Sequence, residues 1–465
     1  MLLDRAQASL EASVNSRWID ESLVQASWLI AFFEISAHPL HSPIRVRSAL
    51  RMLDSLIRSL SMSSLDQADE RTSRFGNRSV PVVSATRSTN VYSPTSGHWN
   101  ASIPSASALL PAVPGLSSAP HHPLDPRTTS PATQTQSPNA AHCGCGTLTL
   151  GTNWTHANEL TPLWLMTPAW KTDTSDAEIR RDECRRVVWS AVTLVAGYTS
   201  FVAATNAIPS LDLYLMEPSN IALLFPGENL VPAVSYPQTS SGESLSKSTV
   251  WALYMRTMLL WHSCLRMRGD TNESNASKAE FAVSAWLEVD NIEKALDLHT
   301  CGIERAFLFQ GREYLFNARM SISYEFQRYI PQVTADANLA FHRKKAEDWL
   351  THQASVAKRT MYGLQTITGQ PNVTFARRPF FVFWFMSQVS RALLLWSCDN
   401  TLTIALEVSK SLIGPIEYLM SMWPCADQQR RYRELRANIE NACIVAGVPP
   451  PSPSTATSTR SSLSS

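Results

Sequence analysis

Residues 178 to 192 read EIRRDECRRVVWSAV: four arginines and three acids lead into an uncharged run that continues to Pro209. A stretch like this contacts nucleic acid, borders a membrane span, or opens a helix that enters a soluble core. The uncharged run approaches the ~20 residues that a span requires. Yet Ser190, Thr193, Gly197, Thr199, Ser200, Thr205 and Asn206 leave it only mildly hydrophobic, and no other segment repeats its pattern. Trp189, Val192, Val195 and Ala196 recur at helical spacing and suit a core-facing stripe. A formal net charge of +1 argues against a wholly basic nucleic-acid binder. The stretch therefore reads as the charged mouth of a core helix, with Glu178, Asp182 and the arginines pairing on its solvated first turns.

The rest of the chain agrees with helices. It holds 14 Trp, 11 Tyr and 16 Phe but only 16 Gly among 465 residues, a balance unlike that of a turn-rich β protein. WIDESLVQASWLIAFFEIS offers Asp20 as a cap and places Leu23, Ala26, Ile30 and Phe33 on one face. In SPIRVRSALRMLDSLIRSLSM, Ser42 caps, Pro43 fits the first turn, and Val46, Ala49, Leu50, Leu53, Leu56, Ile57 and Leu60 form one stripe. Arg45, Arg47, Arg51 and Arg58 then form a solvated face. VWALYMRTMLLWHSCL presents Trp251, Tyr254, Met255, Met258, His262 and Leu265 together, and RRPFFVFWFMSQVSRALLLW reads as a helix buried nearly all round. A helix running to a stop at Gly369 and Pro371 precedes it. NTLTIALEVSKSLIGPIEYLMSMW is expected to kink at Gly414-Pro415, and Tyr432, Leu435, Ile439 and Cys443 line the inner face of the last helix. No alternating strand signal of useful length occurs, so the fold class is all-α.

Between Ser64 and Asn153 the chain is dominated by Ser, Thr, Pro, Asn and Ala, with no periodic apolar residues to offset the entropy of ordering. The expected organisation is thus opening helices over 1–63, a disordered insertion over 64–153, the main helical domain over 154–447, and a disordered tail over 448–465. Asp4 and Arg5 interrupt the position where a signal peptide would start its apolar core. The 8 Cys are mostly scattered through apolar, helix-like segments, which reads as reduced thiols inside a cell.

Catalytic chemistry is sparsely encoded. In AHCGCG, His142, Cys143 and Cys145 are soft donors, but a closed structural zinc site takes four ligands and the sequence neighbourhood adds only His121 and His122. No metal site is therefore expected in this chain. There is no G-x-S-x-G, H-E-x-x-H or P-loop. His262, His299 and His352 read as core or surface histidines, and Glu178 with Asp182 and Asp290 with Glu293 as solvated carboxylate pairs. Arg343, Lys344 and Lys345 form the densest cationic run, a solvated patch or a weak nuclear-import element. No catalytic residue is expected. An aromatic-lined pocket near Trp251, Phe307, Trp349 and Trp384 is the alternative that would make the chain a small-molecule binder or an enzyme.

EIRRDECRRVVWSAVTLVAGYTS followed by SNIALLFPGENL resembles the middle homology region of fungal zinc binuclear-cluster transcription factors. Glu178, Arg180, Arg181, Glu183, Arg185, Arg186 and Trp189 stand at the family's acidic, arginine-rich and aromatic positions, and Pro209, Leu211, Pro218, Leu223, Leu224, Phe225 and Pro226 lie where its following loop runs. The opening helices resemble that family's too. The resemblance implies a bundle-like helical regulatory domain, here interrupted by the long insertion. It also implies a nuclear role in regulating RNA polymerase II transcription. Partners would be the transcription machinery, other transcription factors, or a second copy in a homodimer, with no membrane involved. Arg185, Arg186 and Trp189 are its structural junction motif. Members carry a six-cysteine cluster that holds two zinc ions and reads DNA. This sequence holds none, so a cofactor and a direct DNA contact are expected only from an upstream module or a partner.

Overall fold

Helix caps and stops written in the sequence set boundaries of the second, third and last helices. The structure, a computed structural model, describes residues 2–83, 143–161, 164–171, 174–205, 211–231, 245–303, 310–329, 337–365 and 379–452. Asp20 caps α2 (Glu21–Ile35) by accepting the Leu23 N–H at 2.9 Å, after a first helix, α1 (Leu2–Asn15), that periodicity did not single out. Ser42 caps α3 (Pro43–Ser59) with Pro43 in the first turn, and Val46, Leu50, Leu53, Leu56 and Ile57 are all buried as one stripe. Gly447 ends the last helix, α13 (Ala426–Ala446), in the left-handed conformation, where the Val448 N–H reaches the Cys443 carbonyl at 3.0 Å.

Between these ends lie two short helices, α4 (Leu150–Asn153) and α5 (Ala157–Leu160), and then the long ones. These are α6 (Asp176–Thr205), α7 (Val250–Gly269), α8 (Asn275–Asp297), α9 (Gln310–Tyr329), α10 (Ala337–Gln365), α11 (Phe381–Cys398) and α12 (Ile404–Met422). The described residues contain no strand, only one isolated bridge between Thr149 and Pro168, so the all-α class holds. Pro415 lies inside α12, which continues to Met422.

Two apolar cores meet along α7 and α9. The larger core gathers α2, α3, α6 and α10 to α13, and the smaller gathers α8; α9 gives Tyr314 to the first and Leu315, Ala318 and Ile322 to the second. Helix α7 serves both: Ala252, Met255, Met258, Leu259 and Trp261 join the first, and Val250, Trp251, Leu253, Leu260 and Cys264 the second. Every residue from Val250 to Cys264 is buried, so the expectation of a single apolar face gives way to burial on all sides. Several charged groups that enter these cores do so in pairs. Arg256 of α7 meets Glu288 of α8 at 2.8 Å with both side chains buried. Glu313 of α9 accepts from Trp384 Nε1 at 2.7 Å, Gln388 Nε2 at 2.5 Å and Arg391 Nη1 at 3.2 Å, while Arg391 Nη2 donates to the Ser200 carbonyl at 2.9 Å. That network stitches α9, α11 and α6 together.

Three sequence expectations change. Helix α2 turns Val24, Ser27, Ala31 and Ile35 inward; Leu23 and Ile30 are half-buried and Phe33 is exposed. The reason is Glu34, which is held inside by Arg45 at 2.6 Å and so fixes the rotation of the helix. Arg45 makes this pair while staying about half-buried. Second, residues 64–83 and 143–153 are not part of a disordered insertion: Asp66, Thr72, Val83, Cys145 and Leu150 are buried. They are ordered by hydrogen bonds from Ser, Thr and Asp side chains, which leave no periodic signal. The stretch 84–142, Pro209, the Gly369-Pro371 stop and the tail from 453 lie outside the described residues. Third, α11 joins α6 as a helix long and apolar enough to cross a membrane, contrary to the expectation that the pattern is unrepeated. More than half of each is packed inside the protein, 61% and 56% of the two apolar windows, as in the core helices of many proteins.

His262 lies at the centre of α7, fully buried, and neither ring nitrogen has a hydrogen-bond partner among the described residues. Burial, with the nearby Arg266 charge, lowers its pKa from 6.5 to about 3. The unfolded chain takes up this proton as pH falls through 6.5 and the folded chain does not until pH reaches about 3, so stability falls with pH across that window. Urea unfolding at pH 7.5 and pH 5 measures it. A His262→Leu variant is expected to lose about 2 kcal/mol less stability than the parent between those two values.

Candidate functional site

Arg185, Arg186 and Trp189 lie within little more than one turn of α6 and point to three different segments. Arg185 enters the interior. Its Nε and Nη2 donate to the two oxygens of Asp66 at 2.7 and 2.8 Å, a bidentate pair, and its Nη1 donates to Glu178 at 2.9 Å. Burial works to lower the guanidinium pKa, but the hydrogen bonds and charges of Asp66 and Glu178 outweigh it and raise the pKa above its ordinary value. Asp66 also accepts the Leu224 N–H at 2.9 Å, while the Asp66 N–H donates to the Ala222 carbonyl at 3.1 Å. Arg181 adds a contact to Asp66 at 3.2 Å.

Arg186 turns to the other side. It pairs with Asp182 at 2.7 Å, donates to the Pro168 and Ala169 carbonyls at 3.1 and 3.0 Å, and lies over the Trp170 ring at 4.2 Å. Trp189 donates its indole N–H to the Leu224 carbonyl at 2.9 Å and stacks on Phe225, with centroids 5.4 Å apart. Three residues thus hold the segment before residue 84, the segment before α6, and the 221–228 loop. Gly227 closes that loop at φ +82°, with Trp251 so near that a Cβ there would stand 3.0 Å from its ring. The expectation that the arginines pair with neighbouring acids on a solvated turn is only half met. The main partner of Arg185 lies 119 residues away, and both it and Asp182 are buried.

A second constellation lies at the edge of the smaller core. The ligand atoms of Cys143, Cys145, His299 and Cys301 all fall within 4.8 Å of one another. Cys143 and Cys145 sit at the start of a 3-10 turn (Gly144–Leu148), and His299 and Cys301 follow the end of α8. Cys145 Sγ stands 3.6 Å from His299 Nδ1 and accepts the Val250 N–H at the first turn of α7, at 3.5 Å. The hydrogen bond from Cys145, with those of His299 and Cys143, lowers the Cys301 thiol to about 4 despite partial burial. That same contact and burial push Cys145 far up. Burial acts to lower the His299 pKa, but contacts with Cys301 and Cys143 raise it. The group is therefore built to share negative charge around soft donors.

Sequence neighbours alone suggested too few metal ligands; the fold supplies His299 and Cys301 from a distance, while His121, His122 and His142 lie outside the described residues. A signal was present. Cys143, Cys145 and Cys301 are each followed by glycine, and none of the other five cysteines is. All eight are free thiols, and five are buried.

The other candidates disperse. Asp290 and Glu293 remain partly exposed, and both accept from the buried Arg319 Nη2, at 2.5 and 2.7 Å. Arg343 pairs with Glu347 and Asp399 at 2.9 and 2.7 Å. Trp251 belongs to the smaller core, Trp349 and Trp384 to the larger, and Phe307 lies outside the described residues. Two clefts, of 550 and 760 Å³, are lined by Tyr198, Arg266 and Asp270 in one and by Trp261, Asn317 and Arg391 in the other.

Removing one member of the buried Arg185–Asp66 pair leaves an uncompensated charge. Asp66→Ala and Arg185→Ala are each expected to cost about 3–5 kcal/mol, and the double variant well under their sum, when measured by denaturant unfolding. No protein-family model, curated protein or solved structure matches this chain.

Proposed function

We propose that this chain is a helical regulatory domain of a transcription regulator, working in the nucleus on RNA polymerase II transcription through partner proteins. What carries the reading is the junction. The two sequence stretches that resemble the middle homology region, EIRRDECRRVVW and NIALLFPGENL, meet each other, with Trp189 bonded to the Leu224 carbonyl and stacked on Phe225. Resemblance in two separated stretches is worth more when the two are in contact. In this reading Arg185, Arg186 and Trp189 are architectural, no residue is catalytic, and DNA contact comes from a further module or a partner protein. The cleft between α6, α11 and α13 suits an effector in the same reading. It reaches 760 Å³, and Asn317 Oδ1 beside it has no hydrogen-bond partner among the described residues.

Tethering tests the role directly. The full chain is fused to a heterologous DNA-binding domain and placed at a reporter promoter in a eukaryotic host. Reporter output is expected to shift several-fold from that of the DNA-binding domain alone, and the untethered, fluorescently tagged chain to accumulate in the nucleus. A soluble, promoter-bound fusion with unchanged output would count against regulation, and cytosolic retention of the tagged chain against the nuclear role.

A further inference from the structure

We propose that Cys143, Cys145, His299 and Cys301 bind one structural zinc ion, which fastens the chain at residue 143 to the turn after α8. The donor set is the first argument. Three thiols and an imidazole are ligands that zinc takes in closed, four-coordinate sites, with Zn–S of about 2.3 Å and hence ligand-to-ligand edges of about 3.8 Å in a tetrahedron. The four ligand atoms here lie within 4.8 Å of one another, and Cys145 Sγ to His299 Nδ1 is already 3.6 Å. The enclosure has room for one ion. A cluster of two or more irons would need its ligands farther apart.

The surroundings supply a second, independent argument. His299 Nε2 lies 2.8 Å from the Ser248 carbonyl. Donating its N–H there leaves Nδ1, the nitrogen facing the sulfurs, with its lone pair free. Metal-bound histidines are oriented in this way by an outer partner. The Val250 N–H directed at Cys145 Sγ does the same for a thiolate. Val250 is also the first residue of α7, so the net single negative charge of a zinc with three thiolates would lie at the positive end of a helix. The glycine after each cysteine lets the backbone turn tightly at the ligand, and Gly302 uses that freedom at φ +70°. With four protein ligands no position is left for substrate, so the role is structural.

The ion would close a chain loop of 154 residues between Cys145 and His299, fixing one border of the 84–142 segment to the smaller core. On binding, the thiols that still carry a proton lose it to solvent, and no oxidant or reductant is needed.

The test uses the full chain, expressed without added chelator and purified under reducing conditions. Inductively coupled plasma mass spectrometry is expected to find one zinc per chain. Growth in cobalt-supplemented, zinc-poor medium is expected to give the visible bands of a tetrahedral site and a near-ultraviolet thiolate-to-cobalt band of three-sulfur intensity. His299→Ala and Cys301→Ser are expected to lower the metal content sharply, and His299→Cys to restore it. A parent chain with well under one zinc after purification and zinc reconstitution overturns the proposal, as does a disulfide among Cys143, Cys145 and Cys301 in the reduced preparation. So does full zinc content in the His299→Ala and Cys301→Ser variants. The parent chain's metal count and cobalt spectrum decide the matter even if a variant fails to fold.

Discussion

The fold depends on one ion pair that water cannot reach. Arg185 and Asp66 are both buried, and each is satisfied from several directions: Arg185 by Glu178 and both Asp66 oxygens, Asp66 by the Leu224 N–H and by Arg181. A buried pair is weak as a source of net stability, because taking both charges out of water costs nearly what their attraction returns. Its value is selectivity. A displaced α6 or a shifted 221–228 loop would leave a charge or a backbone N–H stranded in the interior, and that penalty removes competing arrangements.

The same economy recurs elsewhere. The composition shows 40 basic against 39 acidic residues, which on its face speaks only of solubility. In the folded chain Arg185, Arg256, Arg319 and Arg391 are buried, each against at least one carboxylate from another element. Helices packed face to face through apolar side chains alone can slide by a turn at small cost. Helices keyed by guanidinium forks cannot, because the fork has fixed geometry. Near neutrality here is partly the mark of charges used inside, in matched pairs.

How much of this the sequence shows depends on distance along the chain. Helix α3 is legible residue by residue, since its cap, its proline and its stripe are all local. Helix α2 is legible as a helix but not in rotation. Trp28, Leu29, Ile30, Phe32 and Phe33 make it apolar nearly all round, and only the remote partner of Glu34 selects the inner face. The junction motif identifies Arg185 and Trp189 as special, yet nothing local points to Asp66, which sits in a Ser-rich stretch without periodicity. The cysteine group shows the same division. Its C-x-C half is visible and its H-x-C half shows only as the glycine after Cys301, because the two become neighbours only when the start of α7 brings Ser248 and Val250 between them. All-α class was within reach of pattern reading; sites assembled from segments a hundred or more residues apart were not.

The placement of α7 has one more consequence. A helix with solvent on one side can adjust to a change by rolling outward, and only the elements on its inner side respond. Helix α7 has no outer side along Val250 to Cys264, so a roll that relieves one core must compress the other. The two cores are therefore not independent compartments. An event that repacks residues beside Trp261 and Met258 is communicated through a rigid cylinder to Leu253 and Leu260 on its far face, and with them to the sulfur-rich corner at Val250. The chain has, in that helix, a mechanical link between its two apolar cores.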